Sequence, residues 1–268
     1  MRCPLLLYFS LAAQASAACT RSGLQETVAR YIQAQTSGQL DLLPLAPGVS
    51  YTENDAPTDM AKGVLSQPVT IDFHRSLYDT AQCAAFTELA AATGSHPYVI
   101  HSHIFVVDDS ITNIQSVVSD AGDWLFNATA FLSWTKREKW DTIAEGKRDS
   151  RAVIKAAGDA YLDSWGNGSV RVPYGTPCAR LEGGAYTGER NQSSNTCRMP
   201  EFPQPFRITN RRYIIDEEMG GMDIFNDFPF IDATKPNGTA SSNFMRIEGG
   251  MLRYIHEVTV CATRNCGR

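Results

Sequence analysis

Several features that would place a chain in a common functional class are missing from this sequence. Lysine and arginine form no cluster, and the net charge is −5, so nucleic-acid phosphates would meet no matching surface. There is no C-x-x-C pair, which argues against zinc-ribbon and thioredoxin-like sites. G-x-S-x-G and phosphate-binding glycine-rich motifs are missing too, so esterase and nucleotide-enzyme interpretations have no motif behind them.

Long apolar runs are also missing, and beyond the first segment no stretch approaches about 18 apolar residues. The first segment is too short to span a bilayer. Arg2, the apolar core PLLLYFSLAA and the small-residue site ASA (15–17) are typical of an export signal. We therefore expect a signal peptide over 1–17, a secreted protein and no membrane partner. The alternative interpretation is a buried N-terminal helix.

The remaining composition is that of a soluble globular protein with a sizeable core, since 43% of residues are hydrophobic and 20% are charged. A length of 268 residues allows one large domain. It also allows two domains of roughly 120 residues each.

Cysteine content and glycosylation motifs agree with secretion. After removal of the signal, an even number of cysteines remains, which predicts three disulfides in an oxidising compartment. Cys261–Cys266 and Cys19–Cys83 are candidate pairs, although fifteen connectivities are open. The six cysteines are Cys19, Cys83, Cys178, Cys197, Cys261 and Cys266. Asn-x-Ser/Thr motifs predict glycosylation at Asn127, Asn167, Asn191 and Asn237.

Two stretches of the chain are nearly the same. QPVTIDFHRSLYD (67–79) and QPFRITNRRYIID (204–216) align without a gap and share Gln-Pro, an Ile, an Arg and a final Asp. A helical pattern precedes each of them, at 24–38 and at 150–165, and apolar-alternating segments surround them. This order predicts two copies of one α+β unit, in which the repeated segment is the same central strand.

We place the two units at 18–122 and 149–268, with a connector at 123–148. The connector is too aromatic for a solvated linker, so we expect a helix or an extended arm that packs across both units. Its tryptophans are Trp124, Trp134 and Trp140.

A helix followed by a curved antiparallel sheet forms a cone with an open pocket at one end. This order, with the closing hairpin FMRIEGGMLRYIHEVTV, resembles the nuclear-transport-factor-2-like superfamily, which includes SnoaL-like polyketide cyclases, ketosteroid isomerase and scytalone dehydratase. GDWLFNA, RDSR, VPYGTPCARLEGGAYTG and NRRYIIDEE resemble a group of secreted fungal proteins of largely unknown function with two such units. The resemblance implies an α+β fold of two tandem cone-shaped barrels. It implies this fold and no particular activity, since the fold hosts enzymes, binding modules and dimerisation domains alike. The superfamily's enzymes use acid–base chemistry without metal or organic cofactor.

Candidate chemistry in the first unit centres on HSHIFVVDD. His101 and His103 alternate on a strand, so their imidazoles share one face. They could form a proton-transfer pair in the first cone, joined by His74 from the neighbouring strand. An H-x-H metal site and a hydrogen-bonded structural pair are the alternatives.

In the second unit, Glu182, Asp216 and His256 could converge in the cone as an acid–base set with Tyr254 as a hydrogen-bond donor. The structural alternative is a set of ion pairs, Arg212–Asp216 or Arg180–Glu182, that hold strands together. Candidate substrate-binding residues at the mouth are Tyr161, Trp165, Arg180 and Tyr186.

These patterns favour a secreted, cofactor-independent lyase, isomerase or cyclase acting on a small hydrophobic secondary metabolite by acid–base catalysis or conformer shaping. A non-catalytic protein that binds an apolar molecule is the alternative, and a surface interaction protein is a third. A second copy of the chain is the candidate protein partner. The second unit is the favoured active half because its motifs are denser.

Overall fold

The computed structural model describes residues 19–199, 205–229 and 231–266, so the predicted signal peptide lies outside the described residues. The described chain forms two tandem α+β units, each a helix followed by a six-stranded mixed sheet. The prediction of an α+β fold with two tandem units is confirmed. Each sheet keeps two separate edges, so neither closes into the barrel that the resemblance implied.

The described residues form three α-helices: α1 (Arg21–Ser37), α2 (Ala128–Thr135) and α3 (Arg151–Ser164). Helix α1 begins after Thr20, whose hydroxyl accepts from the Gly23 amide, and ends at Gly38 with a positive φ of 69°. Ser150 caps α3 in the same way, by accepting from the amide of Val153. Among the described residues, no helix is both long enough and apolar enough to cross a membrane.

The two sheets have the same topology. The first sheet contains β1 (Leu45–Glu53), β2 (Ala56–Pro57), β3 (Phe73–Asp79), β4 (Ala84–Ala91), β5 (Tyr98–Val107) and β6 (Ser110–Ser119). The second contains β7 (Tyr174–Glu182), β8 (Ala185–Tyr186), β9 (Thr209–Asp216), β10 (Gly221–Phe228), β11 (Thr239–Glu248) and β12 (Met251–Thr259). Their orders are β2-β1-β6-β5-β4-β3 and β8-β7-β12-β11-β10-β9. The pairs β1–β6 and β7–β12 are parallel, and the other pairs are antiparallel.

The repeated sequence segment forms β3 and β9, which occupy equivalent positions in the two sheets. Both are edge strands, so the prediction of a central strand was wrong. Arg75 and Arg212 lie on these strands opposite Glu88 and Phe225 respectively, in matching registers. The repeat therefore reflects a duplicated unit whose conserved strand lies where the two copies meet.

The elements stack in four layers, helix–sheet–sheet–helix. Helix α1 packs on the first sheet through a core that includes Tyr31, Ile100 and Ile114. Helix α3 packs on the second sheet through a separate core around Tyr161 and Ile255. Two further clusters combine residues of both units and therefore lie between the sheets. Each sheet is thus buried on both faces, which explains why most of β4, β5, β10 and β11 is inaccessible to solvent.

The connector packs against both units. Phe131 of α2 is fully buried in a cluster with residues of both sheets. Trp140 stacks on Phe244 with ring centroids 4.3 Å apart, and Trp134 stacks on Tyr186 at 4.5 Å. The aromatic content of this segment therefore serves the inter-unit core.

The part of the chain that the structure describes contains three disulfides: Cys19–Cys83, Cys178–Cys197 and Cys261–Cys266. The first and third are the pairs named from the sequence. Cys19 lies directly before α1, so its bond ties the start of the first helix to the turn before β4.

A reciprocal pair of aspartates joins the repeated strands, and we call it the aspartate clasp (Asp79 and Asp216). Asp79 accepts from the amide of Ile215 at 2.9 Å and from both terminal nitrogens of Arg151, at 2.7 and 2.6 Å. Asp216 accepts from the amide of Tyr78 at 2.9 Å and from Arg21 at 2.9 Å. Each unit thus supplies a carboxylate that accepts hydrogen bonds from two groups of the other unit. These groups are a backbone amide of the repeated strand and the arginine at the beginning of the main helix.

We expect Asp79→Asn and Asp216→Asn each to lower the free energy of unfolding by about 2 kcal/mol, because each leaves a partly exposed guanidinium and a backbone amide poorly paired. Urea denaturation of the purified protein measures this. Asp109→Asn at the exposed β5–β6 turn is the matched control and should change little. Equal stability of the clasp variants and the control would contradict a role for the clasp.

Candidate functional site

The residues predicted to carry chemistry fall into two separate places. One is the interface between the sheets, and the other is the face of the second sheet that packs under α3. Because successive residues of a strand point to opposite faces, neighbours in sequence belong to different places.

The histidines of β5 point toward the second sheet. His101 Nδ1 lies 2.7 Å from the Ser242 hydroxyl, and His103 Nε2 lies 2.7 Å from a carboxylate oxygen of Asp223. Ser242 in turn donates to Asp223 at 2.6 Å. Burial lowers the pKa of His103, and the Asp223 carboxylate offsets only part of that effect. The prediction of a shared face is confirmed, but that face is the inter-sheet one, away from the first cone.

His256 on β12 binds two carboxylates. Its Nδ1 lies 2.6 Å from Glu88, and its Nε2 lies 2.7 Å from Glu138. Burial lowers the pKa of His256, but Glu138 and Glu88 outweigh burial and raise it to about 9. The pKa of Glu88 is raised by burial and lowered more strongly by His256, His101 and Arg75, so it lies well below its ordinary value.

This inter-sheet network is inaccessible to solvent. The side chains of Glu88, His101, His103, Asp223 and His256 have an exposed fraction of 0%. A substrate could reach them only if the two sheets separated. The hydrogen-bonded structural interpretation of the histidines therefore fits their placement, and His101 and His103 face hydroxyl and carboxylate partners. Among the described residues, no group of three or more His, Cys, Asp or Glu side chains is arranged to hold a metal ion.

The proposed convergence in the second cone does not occur. Asp216 belongs to the aspartate clasp, and His256 faces the other sheet. Tyr254 stacks on Trp140 at 5.9 Å, on the inter-sheet side. His74 is exposed on β3, which neighbours β4, so it does not join the β5 histidines. The sequence alone could not assign the face of each strand.

Under α3, a different polar group comes together, which we call the cone cluster (Tyr161, Arg180, Glu182 and Glu257). Arg180 and Glu182 share one face of β7 and form an ion pair. The Tyr161 hydroxyl reaches Met199 Sδ at 3.7 Å, and Met199 Sδ also contacts Arg180. The Arg180–Glu182 ion pair, which was the structural alternative predicted from the sequence, is therefore present. It lies under α3 in the second unit.

Glu257 is the member of the cone cluster that sequence reasoning missed. It is 1% exposed and pairs in register with Glu182 across β7 and β12. One carboxyl oxygen accepts from Thr259 at 3.0 Å, while Oε2 has no hydrogen-bond partner among the described residues. Burial, then the charge of Glu182, raises the pKa of Glu257 to about 8, despite Thr259 and Arg180. Its carboxyl group therefore carries a proton at neutral pH.

A sequence signal for Glu257 was present. A glutamate inside the alternating strand LRYIHEVT must take one of the two buried faces of a covered sheet. Alternation places it on the face opposite to His256.

The first cone differs at the matching positions. Tyr51 and Ser116 are the seventh residues of β1 and β6, where β7 and β12 carry Arg180 and Glu257. Tyr31 donates to or accepts from Ser102 at 2.8 Å, and Ser102 bonds Ser116 at 2.8 Å. The first cone therefore holds paired hydroxyl groups, and buried Val64 and Leu65 add apolar filling.

The remaining predicted binding residues flank the cone cluster. Trp165 is buried and lies edge-on to Tyr161, with centroids 6.2 Å apart. Tyr186 lies outside the cone and stacks on Trp134 of the connector. Beside Met199 there is a cleft of about 640 Å³ lined by Ser164, Gly168, Ser169, Val170, Arg171, Val172, Tyr174, Arg198 and Met199. We call it the arginine cleft.

The four predicted glycosylation sites are all exposed asparagines. Asn167 lies next to the arginine cleft, and its Oδ1 accepts from the Ser169 hydroxyl at 2.7 Å. Their placement is compatible with glycan attachment, which stays a prediction.

Comparison with known families bears on the second unit. Residues 147–259 match the family described as Domain of unknown function (DUF8021). The match begins just before α3 and ends with β12, so it contains the whole cone cluster. No curated protein matches the chain. The matched region therefore coincides with the unit that carries the cone cluster.

His256→Gln should destabilise the protein most at low pH. The substitution introduces the residue found at the equivalent position of β6, Gln115. The folded pKa of about 9 lies above the ordinary 6.5. The stabilising charge pair is therefore fully present below about pH 6.5 and is lost as pH rises through about 9. We expect a loss of about 3 kcal/mol near pH 6 that shrinks by about pH 10, measured by urea unfolding. Exposed His96→Gln is the control.

Glu257→Gln tests the second raised pKa, and here too the wild type should lose stability relative to the variant as pH rises. The folded pKa of about 8 lies above the ordinary 4.5, so the folded state binds more protons between these values. Wild-type stability should fall across that interval, whereas the variant should lack this fall and become the more stable protein above about pH 8. Thermal unfolding across this pH range measures it, with the exposed Glu189→Gln as control. Parallel curves for all three proteins would show that Glu257 is ordinarily ionised.

Proposed function

We propose that the second unit catalyses a cofactor-independent proton transfer on a small apolar molecule, as an isomerase, dehydratase or cyclase does. The supporting observation is the cone cluster: a buried glutamic acid with an unpaired oxygen lies beside an arginine–glutamate ion pair and a tyrosine hydroxyl. Buried groups with shifted pKa values and incomplete hydrogen bonding are typical of active sites.

The members of the cone cluster divide naturally into a base and donors. Glu182, ion-paired with Arg180, is the carboxylate that can accept a proton from a C–H bond of the substrate. The bonding electrons then move toward an electronegative atom of the substrate. Protonated Glu257 and the Tyr161 hydroxyl can donate hydrogen bonds to that atom, and Arg180 adds positive charge. Return of the proton to another atom completes an isomerisation without oxidant, reductant or cofactor.

Access to the cone cluster passes Met199. This side chain contacts both Tyr161 and Arg180, so a ligand that uses those donors must displace its sulfur. Methionine has three rotatable bonds and adapts readily to new neighbours. The arginine cleft adjoins Met199 and offers a volume within the roughly 300–1,000 Å³ typical of small-molecule sites.

Secretion forms part of the proposal. Three disulfides are consistent with an oxidising compartment, and the exposed glycosylation motifs agree with passage through it. The substrate would then be a molecule met outside the cell or in the lumen of the secretory pathway.

A nitrobenzisoxazole tests the chemistry without knowledge of the natural substrate. Loss of its C–H proton to a base forms the nitrile, breaks the N–O bond and leaves a coloured phenolate. We expect the protein to accelerate this ring opening, and Glu182→Gln to reduce kcat by about a hundredfold. Glu257→Gln should reduce kcat by about tenfold, because it replaces the acidic O–H donor to the developing phenolate with a weaker amide N–H donor.

The matched control is Glu189→Gln, an exposed carboxylate of the same unit that should leave the rate unchanged. A rate equal to that of acetate at the same concentration, or one insensitive to both cone-cluster variants, would overturn the catalytic proposal. Saturable binding of the probe without acceleration would instead support a protein that binds apolar molecules without reaction.

A further inference from the structure

We propose that the arginine cleft binds the carboxylate of an amphipathic acid, and that the apolar body of this acid extends past Met199 toward the cone cluster. This names the substrate class of the site and rests on the proposed function for the position of the reacting end.

The charge of the arginine cleft is opposite to that of the whole chain. Arg171 and Arg198 line it together with Ser164 and Ser169, and no described lining residue is an aspartate or glutamate. The protein as a whole carries a net charge of −5. Two guanidinium groups without a lining carboxylate make a local site for an anion.

Tyr174 connects the arginine cleft to the cone. It lines the cleft with Arg198 and is half-buried. It also packs against the core under α3, so one side chain borders both the cleft and the interior of the second unit.

The wall of the cleft between these charges is apolar. Val170, Val172 and Met199 lie on it, and Met199 also reaches the Tyr161 hydroxyl inside the cone. A ligand with a carboxylate at one end would leave its apolar part against these side chains. Its far end would meet the unpaired Oε2 of Glu257 and the Nε of Arg180, which are buried without hydrogen-bond partners among the described residues.

Only a charged headgroup exploits this arrangement. A guanidinium and a carboxylate form paired, charge-assisted hydrogen bonds that a neutral alcohol cannot reproduce. Since Arg171 and Arg198 are exposed, salt should weaken the interaction with an acid and leave the apolar contribution intact.

The experiment compares pyrenebutanoate with pyrenebutanol, which share one apolar body and differ in the headgroup. Fluorescence titration of the full-length protein should show about tenfold or tighter binding of the acid, with the difference shrinking as salt rises. Arg171→Gln combined with Arg198→Gln should abolish the preference and leave the affinity for the alcohol unchanged. Both positions are exposed, so thermal unfolding of the variant should match the wild type.

Arg190→Gln removes an exposed arginine of the same unit that does not line the cleft, and it should keep the preference for the acid. Equal affinity for acid and alcohol, or a preference that survives loss of Arg171 and Arg198, would overturn the inference. Loss of preference in all three arginine variants would do the same, because it would indicate a general charge effect.

Failure of this inference can be told apart from failure of the proposed function. Acid preference that depends on Arg171 and Arg198, without any acceleration of the nitrobenzisoxazole, supports the headgroup site and removes the catalytic role. Acceleration that depends on Glu182, with no preference for the acid, keeps the catalytic role and removes the headgroup site.

Discussion

The burial of charge between two sheets constrains the rest of this structure. Glu88, His256 and Glu138 are all inaccessible or nearly so, and an unpaired charge there would cost several kcal/mol. Each therefore needs its partners within hydrogen-bond distance, and these partners come from the first sheet, the second sheet and the connector. The requirement fixes the position of three separate segments at once. The aspartate clasp adds the same constraint at the sheet edges, where each carboxylate crosses to the other unit.

The duplicated units have become unequal at this interface. His103 and Asp223 form a hydrogen-bonded pair, and the residues at the equivalent strand positions are Phe244 and Phe86, whose rings lie 4.6 Å apart. The same pair of strand positions is thus polar in one instance, His103 with Asp223, and apolar in the other, Phe244 with Phe86. Two identical copies could not satisfy both pairs. The asymmetry therefore specifies which face meets which, a role that buried polar groups have in other assemblies.

The sequence predicted the large features because they repeat or carry strong local signals. The duplicated segment revealed two units, the helical patterns at 24–38 and 150–165 located the main helices, and the tryptophans of the connector indicated burial. It failed where a residue had to be assigned to one of two buried faces. His256 and Glu257 are neighbours, and alternation shows that they diverge, but not which of them lies under the helix. That choice depends on the first sheet covering the face of the second sheet that points away from α3, a tertiary fact without local signature.

This divergence also explains why the cone cluster is held in place. On β12, His256 points into the inter-sheet network while Glu257 points into the cone of the second unit. The ion pairs of His256 fix the strand against the first unit, so the strand cannot shift to relieve the enforced proximity of Glu257 and Glu182. The first cone has serine and tyrosine at the positions of Glu257 and Arg180, so no comparable strain between carboxyl groups arises there. The first unit thus serves as the support that lets the second keep two carboxyl groups together, because interactions far from a site can sustain an arrangement that is unfavourable within it.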